Sequence, residues 1–199
     1  MKERPILFNT EMVRAILDGR KTQTRRVIKG DHNYVRWNPV VLNGYGGWTD
    51  DHGRPVKCPY GKVGDRLWVQ EKFAVGEIVG AEGSEWYLSQ CKDENSIIPY
   101  QYCIENEIGI EDVIWKPSSQ MKKEDSRITL EIENIRVERV QEITWEDARE
   151  EGIQPKGIGS DYEDIKAFEK LWNSINESCG YGWNENPWVW VVEFKRVEK

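Results

Sequence analysis

Ser126–Val140, SRITLEIENIRVERV, is the stretch on which the fold turns. Ile128, Leu130 and Ile132 share one parity while Ile135 and Val137 share the other, so the pattern is a strand that changes its buried face near Glu133-Asn134. A bulge or bend is expected there, as where a barrel strand turns a corner. Three further runs have extended character: Lys21 to Ile28, Asp65 to Lys72, and Pro187 to Val197, where Trp188, Trp190, Val192 and Phe194 alternate with Val189, Val191, Glu193 and Lys195. The last is apolar on one face and mostly apolar on the other, as in a strand covered on both sides.

Helices are expected between these strands. Asn9 or Thr10 can cap a helix carrying Met12, Val13, Ile16 and Leu17 on one face, and Gly19 stands at its exit. Thr144 caps a short helix with Asp147 as its acidic third residue, stopping at Gly152. A further helix opens at Ser160, with Glu163 completing a capping box and Tyr162, Ile165, Phe168 or Glu169, Trp172 and Ile175 along one side. Residues 30 to 63, with Asn43-Gly44, Gly46-Gly47, Pro39 and Pro55, read as a long decorated loop. Residues 74 to 120 read as an insertion with short strands at Glu85 to Cys91 and Pro99 to Ile104. The expected class is α+β, a mixed β-barrel with short helices and two long loop insertions, forming a single domain over residues 1 to 199.

Composition narrows the function classes. The opening MKERPILFNTEMVRAIL is interrupted by Asn9, Glu11 and Arg14, so neither a secretion signal nor a membrane span is expected, and a cytoplasmic location follows. Cys58, Cys91, Cys103 and Cys179 are scattered and only His32 and His52 accompany them, so reduced thiols and no structural metal site are expected. The ten Trp residues suit core and groove filling, with base stacking as the alternative. At a net charge of -7 the surface as a whole repels phosphates, so any nucleic-acid contact must be local. The dense basic run RKTQTRRVIK, with Arg20, Lys21, Arg25, Arg26 and Lys29, is where it would be.

In that run, neighbouring Arg20 and Arg25 repel a proton on Lys21, which is one way an amine becomes partly neutral near pH 7. Thr24 supplies a hydroxyl that a neutral Lys21 could activate, although Lys-x-x-Thr alone is a common spacing. A straight strand would send Lys21 and Thr24 to opposite faces, so joint action needs a turn or bulge between them. Glu150-Glu151 oppose the dipole at a helix C-terminus, which favours the protonated acid and makes the pair a candidate for proton transfer; both as solvated surface charges is the plainer alternative. Glu71 is the rival carboxylate.

Gly19, Lys21 and Arg26 fit the G-x-K-x-x-x-x-R signature of ASCH domains, and the chain resembles ASCH-containing proteins often encoded by phages and prophages in further segments. These are RPILFNTEMVRAILDGRKTQTRRVIK, CPYGKVGDRLWVQE, SRITLEI, AREEGI and NPWVWVVEF. The resemblance implies a PUA-like barrel that binds RNA or a modified nucleoside. One branch of the family removes the acetyl group of N4-acetylcytidine with a lysine and a threonine of the signature and a later glutamate, which implies Lys21, Thr24 and Glu151 as catalytic residues. Gly19, Arg25, Arg26 and Glu71 would then shape the substrate site, and neither metal nor cofactor is implied. This chain is about twice as long as those enzymes and has Pro117-Ser118-Ser119-Gln120-Met121 where closer relatives tend to have a histidine. A non-catalytic RNA-binding module, with Lys21, Arg25 and Arg26 on phosphates, and a phage accessory or assembly protein stand as alternatives. For the enzyme, the Lys21 amine and Glu151 carboxylate should lie within roughly 8 Å, a span one or two waters or a small ligand could bridge.

Overall fold

The computed structural model describes residues 1–30, 35–41, 45–80, 87–89, 97–110, 113–154 and 161–197. In chain order the strands and helices begin with β1 (Glu3–Leu7), α1 (Thr10–Leu17), β2 (Gln23–Val27), β3 (Val35–Val41), β4 (Tyr45–Asp50), β5 (Pro55–Val56) and β6 (Arg66–Gln70). There follow β7 (Phe73–Val75), β8 (Glu77–Val79), β9 (Tyr87–Ser89), β10 (Ile97–Pro99), α2 (Tyr100–Glu105), β11 (Thr129–Arg139), α3 (Trp145–Glu150), α4 (Asp161–Asn176) and β12 (Trp188–Val197). The fold is α+β, organised on a mixed five-stranded sheet in the order β1-β6-β11-β12-β2. All four runs with extended character in the sequence supply strands to it. Its end strands are β1 and β2, and no ladder closes it into a barrel among the described residues. No helix among them is long and apolar enough to cross a membrane.

The chain divides into two compact units. The first comprises Met1–Asp18, Arg66–Leu130 and Arg196–Lys199. Here β1 runs parallel to β6, with Ile6 opposite Val69, and the buried side chains include Ile6, Phe8, Val13, Ile16, Leu67, Val69, Ile128 and Leu130. Asn9 caps α1 by accepting a hydrogen bond from the Met12 amide at 2.8 Å, and Gly19 follows the helix at φ 73°. A smaller cluster of Ala74, Cys103 and Ile108 gathers Ile78, Ile98 and Trp115 around it. The strand expected from Pro99 to Ile104 is instead the end of β10 followed by α2. Pro99 is extended at φ -65° and serves as the N-cap, which lets the chain turn directly into a helix that buries Gln101 and Cys103. Of the strand expected at Glu85 to Cys91, Tyr87–Ser89 is described and pairs with β8; the remainder lies outside the described residues.

The second unit comprises Gly19–Asp65 and Glu131–Lys195. Its core joins Val140, Ile143, Ala148, Phe168, Trp172, Val189 and Val191, with Val27, Ile153, Ile165 and Trp183 against them. Only one of the two residue sets that alternate along β12 points into this core, yet Val189 to Val192 are all buried, because β12 is flanked by β11 and β2 and covered on both faces. The buried stripe of α4 is Asp164, Phe168 and Trp172; Tyr162 and Ile175, expected on that stripe, are 62% and 41% exposed. The stripe is set by Arg149, which holds Asp164 at 2.7 Å, and by the Trp172 indole, which donates to the Tyr181 carbonyl. Ser160, proposed to open this helix, lies outside the described residues.

Residues 30 to 63 are not an irregular loop. They contain an antiparallel sheet, β3-β4-β5, whose register shifts between Asn38 and Val41 and so accommodates Pro39. Cross-strand pairing of Trp37 with Trp48 supplies the side-chain contact that the glycines and prolines hid from pattern analysis. Along β11, Glu133 and Asn134 are exposed, and the strand runs through them without interruption. Because Phe168 is 2% exposed in the second core, Phe168→Ala should lower unfolding free energy by about 3–5 kcal/mol, checked by denaturant titration with the m-value held constant.

Candidate functional site

The site grows from the end of a helix. Thr144 caps α3 by accepting from the Asp147 amide, while Asp147 returns a bond to the Thr144 amide. At the other end Gly152 has φ 96°; its amide donates to Arg149 and the Ile153 amide donates to Ala148, a Schellman stop that tucks Ile153 beside the core. The carbonyls left over are taken by the basic run. Thr22 donates its amide to the Glu150 carbonyl at 2.8 Å, Lys21 Nζ donates to the Glu151 carbonyl at 2.9 Å, and Arg20 Nη1 donates to the Gly152 carbonyl at 3.1 Å. Lys21 and Glu151 also pair as an isolated antiparallel bridge. Cationic donors at a helix C-terminus are electrostatically favourable.

This backbone clamp fixes the side chains. The Lys21 ammonium lies 2.6 Å from Glu151 Oε2, with the two side chains 0% and 4% exposed. The approach expected from sequence is thus a direct contact, although more than a hundred residues separate the partners. Burial pushes the Lys21 amine below the ordinary lysine value, against the upward pull of Glu151, and Arg26 and Arg25 lower it further. Desolvation is therefore the main cause; the neighbouring positive charges anticipated from sequence are the lesser one. Both arginines act on the amine although they leave opposite faces of β2.

Alternation along β2 sorts the remaining residues. In register with β12, Gln23 stands opposite Glu193 and Arg25 opposite Val191, which puts Gln23, Arg25 and Val27 on the face carrying Glu193, Val191 and Val189. Arg25 is fully buried there and reaches Asp147 at 2.9 Å, Glu138 at 3.1 Å and Glu151 at 3.5 Å. Gln23 donates to Asp147 Oδ1 at 2.8 Å and Glu150 Oε2 at 3.1 Å, and accepts from Arg136 at 3.2 Å. Arg136 further binds Asp147 at 2.8 Å and pairs with Glu138 and Glu193. Burial raises the Asp147 carboxyl, but Gln23, Arg25, the Thr144 amide and Arg136 together hold it below the ordinary aspartate range. Sequence inspection missed Gln23, Arg136, Glu138 and Glu193. The available signal was parity: Gln23 with Arg25, and Arg136 with Glu138, two residues apart on strands.

The other face of β2 carries Thr24 opposite Val192 and Arg26 opposite Trp190. Thr24 is 2% exposed, and Arg26 is half-buried. Burial raises the Tyr60 phenol while Arg26 pulls the other way, so Arg26 and Tyr60 are electrostatic neighbours. Near them opens a cleft of about 880 Å³ lined by Lys29, Asp50, Arg54, Lys57, Tyr60 and Trp190, among others. Lys21 and Glu151 do not line it. Glu71 belongs to the first unit, where Arg127 grips it in a fork at 2.9 and 3.0 Å. It is a buried, neutralised carboxylate in a different unit from Lys21.

Chemically, the second unit offers a desolvated amine and a carboxylate in proton-transfer contact, oriented by an arginine and anchored to a helix end. Comparison of the chain with protein-family models, with curated proteins and with solved structures finds no match.

Asp147 ties Arg25, Arg136, Gln23 and the α3 cap together, so Asp147→Asn should cost about 3 kcal/mol at neutral pH. Its depressed carboxyl contributes stability in full above the unfolded value near pH 3.9, and loses it as pH falls through the lower folded value. The gap between parent and variant should therefore be flat from pH 5 to 8 and narrow below about pH 4, as read by chemical unfolding across that range.

Proposed function

We propose that this chain is an ASCH-type module with a PUA-like barrel arrangement, whose second unit hydrolyses the exocyclic amide of an N4-acylated cytidine-type nucleoside, free or within RNA. The observation that carries this is the sealed Lys21–Glu151 contact at 2.6 Å, with burial pushing the amine toward its neutral form. A neutral Lys21 takes a proton from a water, or from the Thr24 hydroxyl, and the resulting oxygen nucleophile adds to the amide carbon. The tetrahedral oxyanion needs a donor, for which Arg26, two residues along the same face of β2 as Thr24, is the candidate. When the carbon–nitrogen bond breaks, Glu151 relays the proton held on Lys21 to the departing amine, leaving the unacylated base and, where water attacked, a carboxylic acid. Where Thr24 attacked, the acyl ester it carries is cleaved by a water that Lys21 deprotonates in turn, which releases the acid and restores the hydroxyl. Gly19, by ending α1 at a positive φ, sets the path on which Lys21 enters the unit.

The alternative RNA-binding module needs Lys21 and Arg25 free to meet phosphates. Both side chains are 0% exposed and committed to carboxylates, which speaks against those two residues in that role.

The test is release of acetate from N4-acetylcytidine and a panel of other acylated nucleosides by the full chain. Turnover is expected, with kcat/KM falling at least a hundredfold in Lys21→Arg and in Glu151→Gln, each checked to be folded by its thermal transition. A proton acceptor must be neutral, so kcat/KM should rise with pH. Because the folded amine lies below the ordinary lysine value of about 10.4, the midpoint of that rise should fall below it. No release from any member of the panel would end the hydrolase proposal.

A further inference from the structure

The cleft of the second unit carries an arrangement that the proposed hydrolase does not use. In a protein of net charge -7, its lining presents Lys29, Arg54 and Lys57 against one carboxylate among the described residues, Asp50, which Arg54 holds at 2.7 Å. Lys29 and Lys57 are exposed and form no ion pair among the described residues, so both ammonium groups are available to an anion. The wall holds the half-buried Tyr60 and the buried Trp190.

An aromatic row leads from this wall to solvent. Trp37 faces Trp48 across β3 and β4, and Trp48 faces Val56 across β4 and β5, which places the three on one face of the small sheet. Val56 and Trp190 both line the cleft. Trp48 meets Trp190 edge-on at 6.1 Å and Trp37 at 5.4 Å, and Trp37 ends the row 54% exposed. An indole so exposed on a strand, backed by a second indole, is a platform for a planar ring, and it adjoins a cationic cleft. Cations that meet phosphates beside rings that stack bases are the two parts of a nucleotide-binding surface.

We propose that this cleft binds a nucleotide unit, its phosphate on Lys29 and Lys57 and its heterocycle against Tyr60, with Trp37 as a second stacking position. The chemistry is shared by a free mononucleotide and by one nucleotide of a single strand. A free mononucleotide occupies the cleft alone, whereas a strand extends along the row to Trp37.

Fluorescence titrations of the full chain with cytidine 5′-monophosphate, and anisotropy with a labelled twelve-residue oligouridylate, separate these sources. Lys29→Gln/Lys57→Gln should weaken whichever probe binds at least tenfold, and for the oligonucleotide should reduce the slope of log affinity against log salt by about 1.4. Both lysines are exposed, so the fold is retained, as an unchanged circular dichroism melt will confirm. Trp37→Ala should weaken the oligonucleotide about five- to a hundredfold and leave the mononucleotide unchanged. Oligonucleotide binding sensitive to all three residues identifies a strand; mononucleotide binding sensitive to the lysines alone identifies the free ligand. Failure of both probes to bind at 50 mM salt, or binding indifferent to the double substitution, overturns the proposal. Binding and acetate release are separate readouts, so either proposal can fail while the other stands.

Discussion

An amine with no access to solvent needs a partner, and Lys21 finds it in the last turn of a helix assembled more than a hundred residues later. The contact is made three ways at once: ammonium to carboxylate, ammonium to carbonyl, and backbone bridge. Removing one member of such a pair leaves a buried charge, at a cost of about 3–5 kcal/mol, whereas its net contribution when intact is small because both groups gave up hydration. The pair therefore acts more as a constraint on register than as a source of stability. It fixes where the basic run meets α3, and Arg25, bound to three carboxylates, fixes where α3 and β11 meet β2.

That constraint accounts for a network richer in acids than in bases. Lys21, Arg25 and Arg136 face Glu138, Asp147, Glu151 and Glu193, and Gln23 bridges between the acids as a neutral donor. A surplus of carboxylates repels phosphate, so the most basic stretch of the chain is shielded from polyanions on this face. The Glu151 carboxylate beside the Lys21 amine favours its charged form. Burial opposes this by favouring the neutral amine. In the proposed hydrolase, the balance between the two would let one lysine change protonation state within a cycle.

Much of the scaffold is legible in the sequence because its signals are local. Thr144 with Asp147 announces a capping box, Gly19 and Gly152 announce left-handed stops, and alternation announces the long strands. The convergence of Lys21 and Glu151 is legible only because each lies close to a glycine that ends a helix, Gly19 and Gly152. The small sheet of β3, β4 and β5 is opaque because Pro39 and a glycine pair interrupt the strand pattern in its sequence, and its defining contact, Trp37 on Trp48, is non-local. The Arg136 and Glu193 partners are opaque for the same reason: each is an unremarkable charge on an alternating strand until register places them together. The rotation of α4 was misjudged because Asp164, a charged residue, is buried by an arginine on another helix, which no hydrophobic periodicity can show.

The basic run itself has two meanings, and strand alternation separates them. Arg25 and Arg26 are adjacent and chemically identical, yet β2 sends one into a closed set of carboxylates and the other toward Trp190 and the Tyr60 phenol. On the first face positive charge is consumed internally, so it specifies structure. On the second it stands half-buried beside Tyr60, whose ring lines the cleft that Lys29 and Lys57 also line. Counting basic residues in the run, or averaging charge over the chain, merges these roles. A single residue of register decides between them, because moving β2 by one position against β12 would exchange the two faces and bring Arg26 to the acids in place of Arg25. The pins that forbid this slip are the Thr22 amide on the Glu150 carbonyl and the Phe194 amide on the Thr22 carbonyl, both at 2.8 Å. They lie at the same end of β2 as Lys21, so the contact that seals the amine also keeps Arg25, and not Arg26, on the face of the acids.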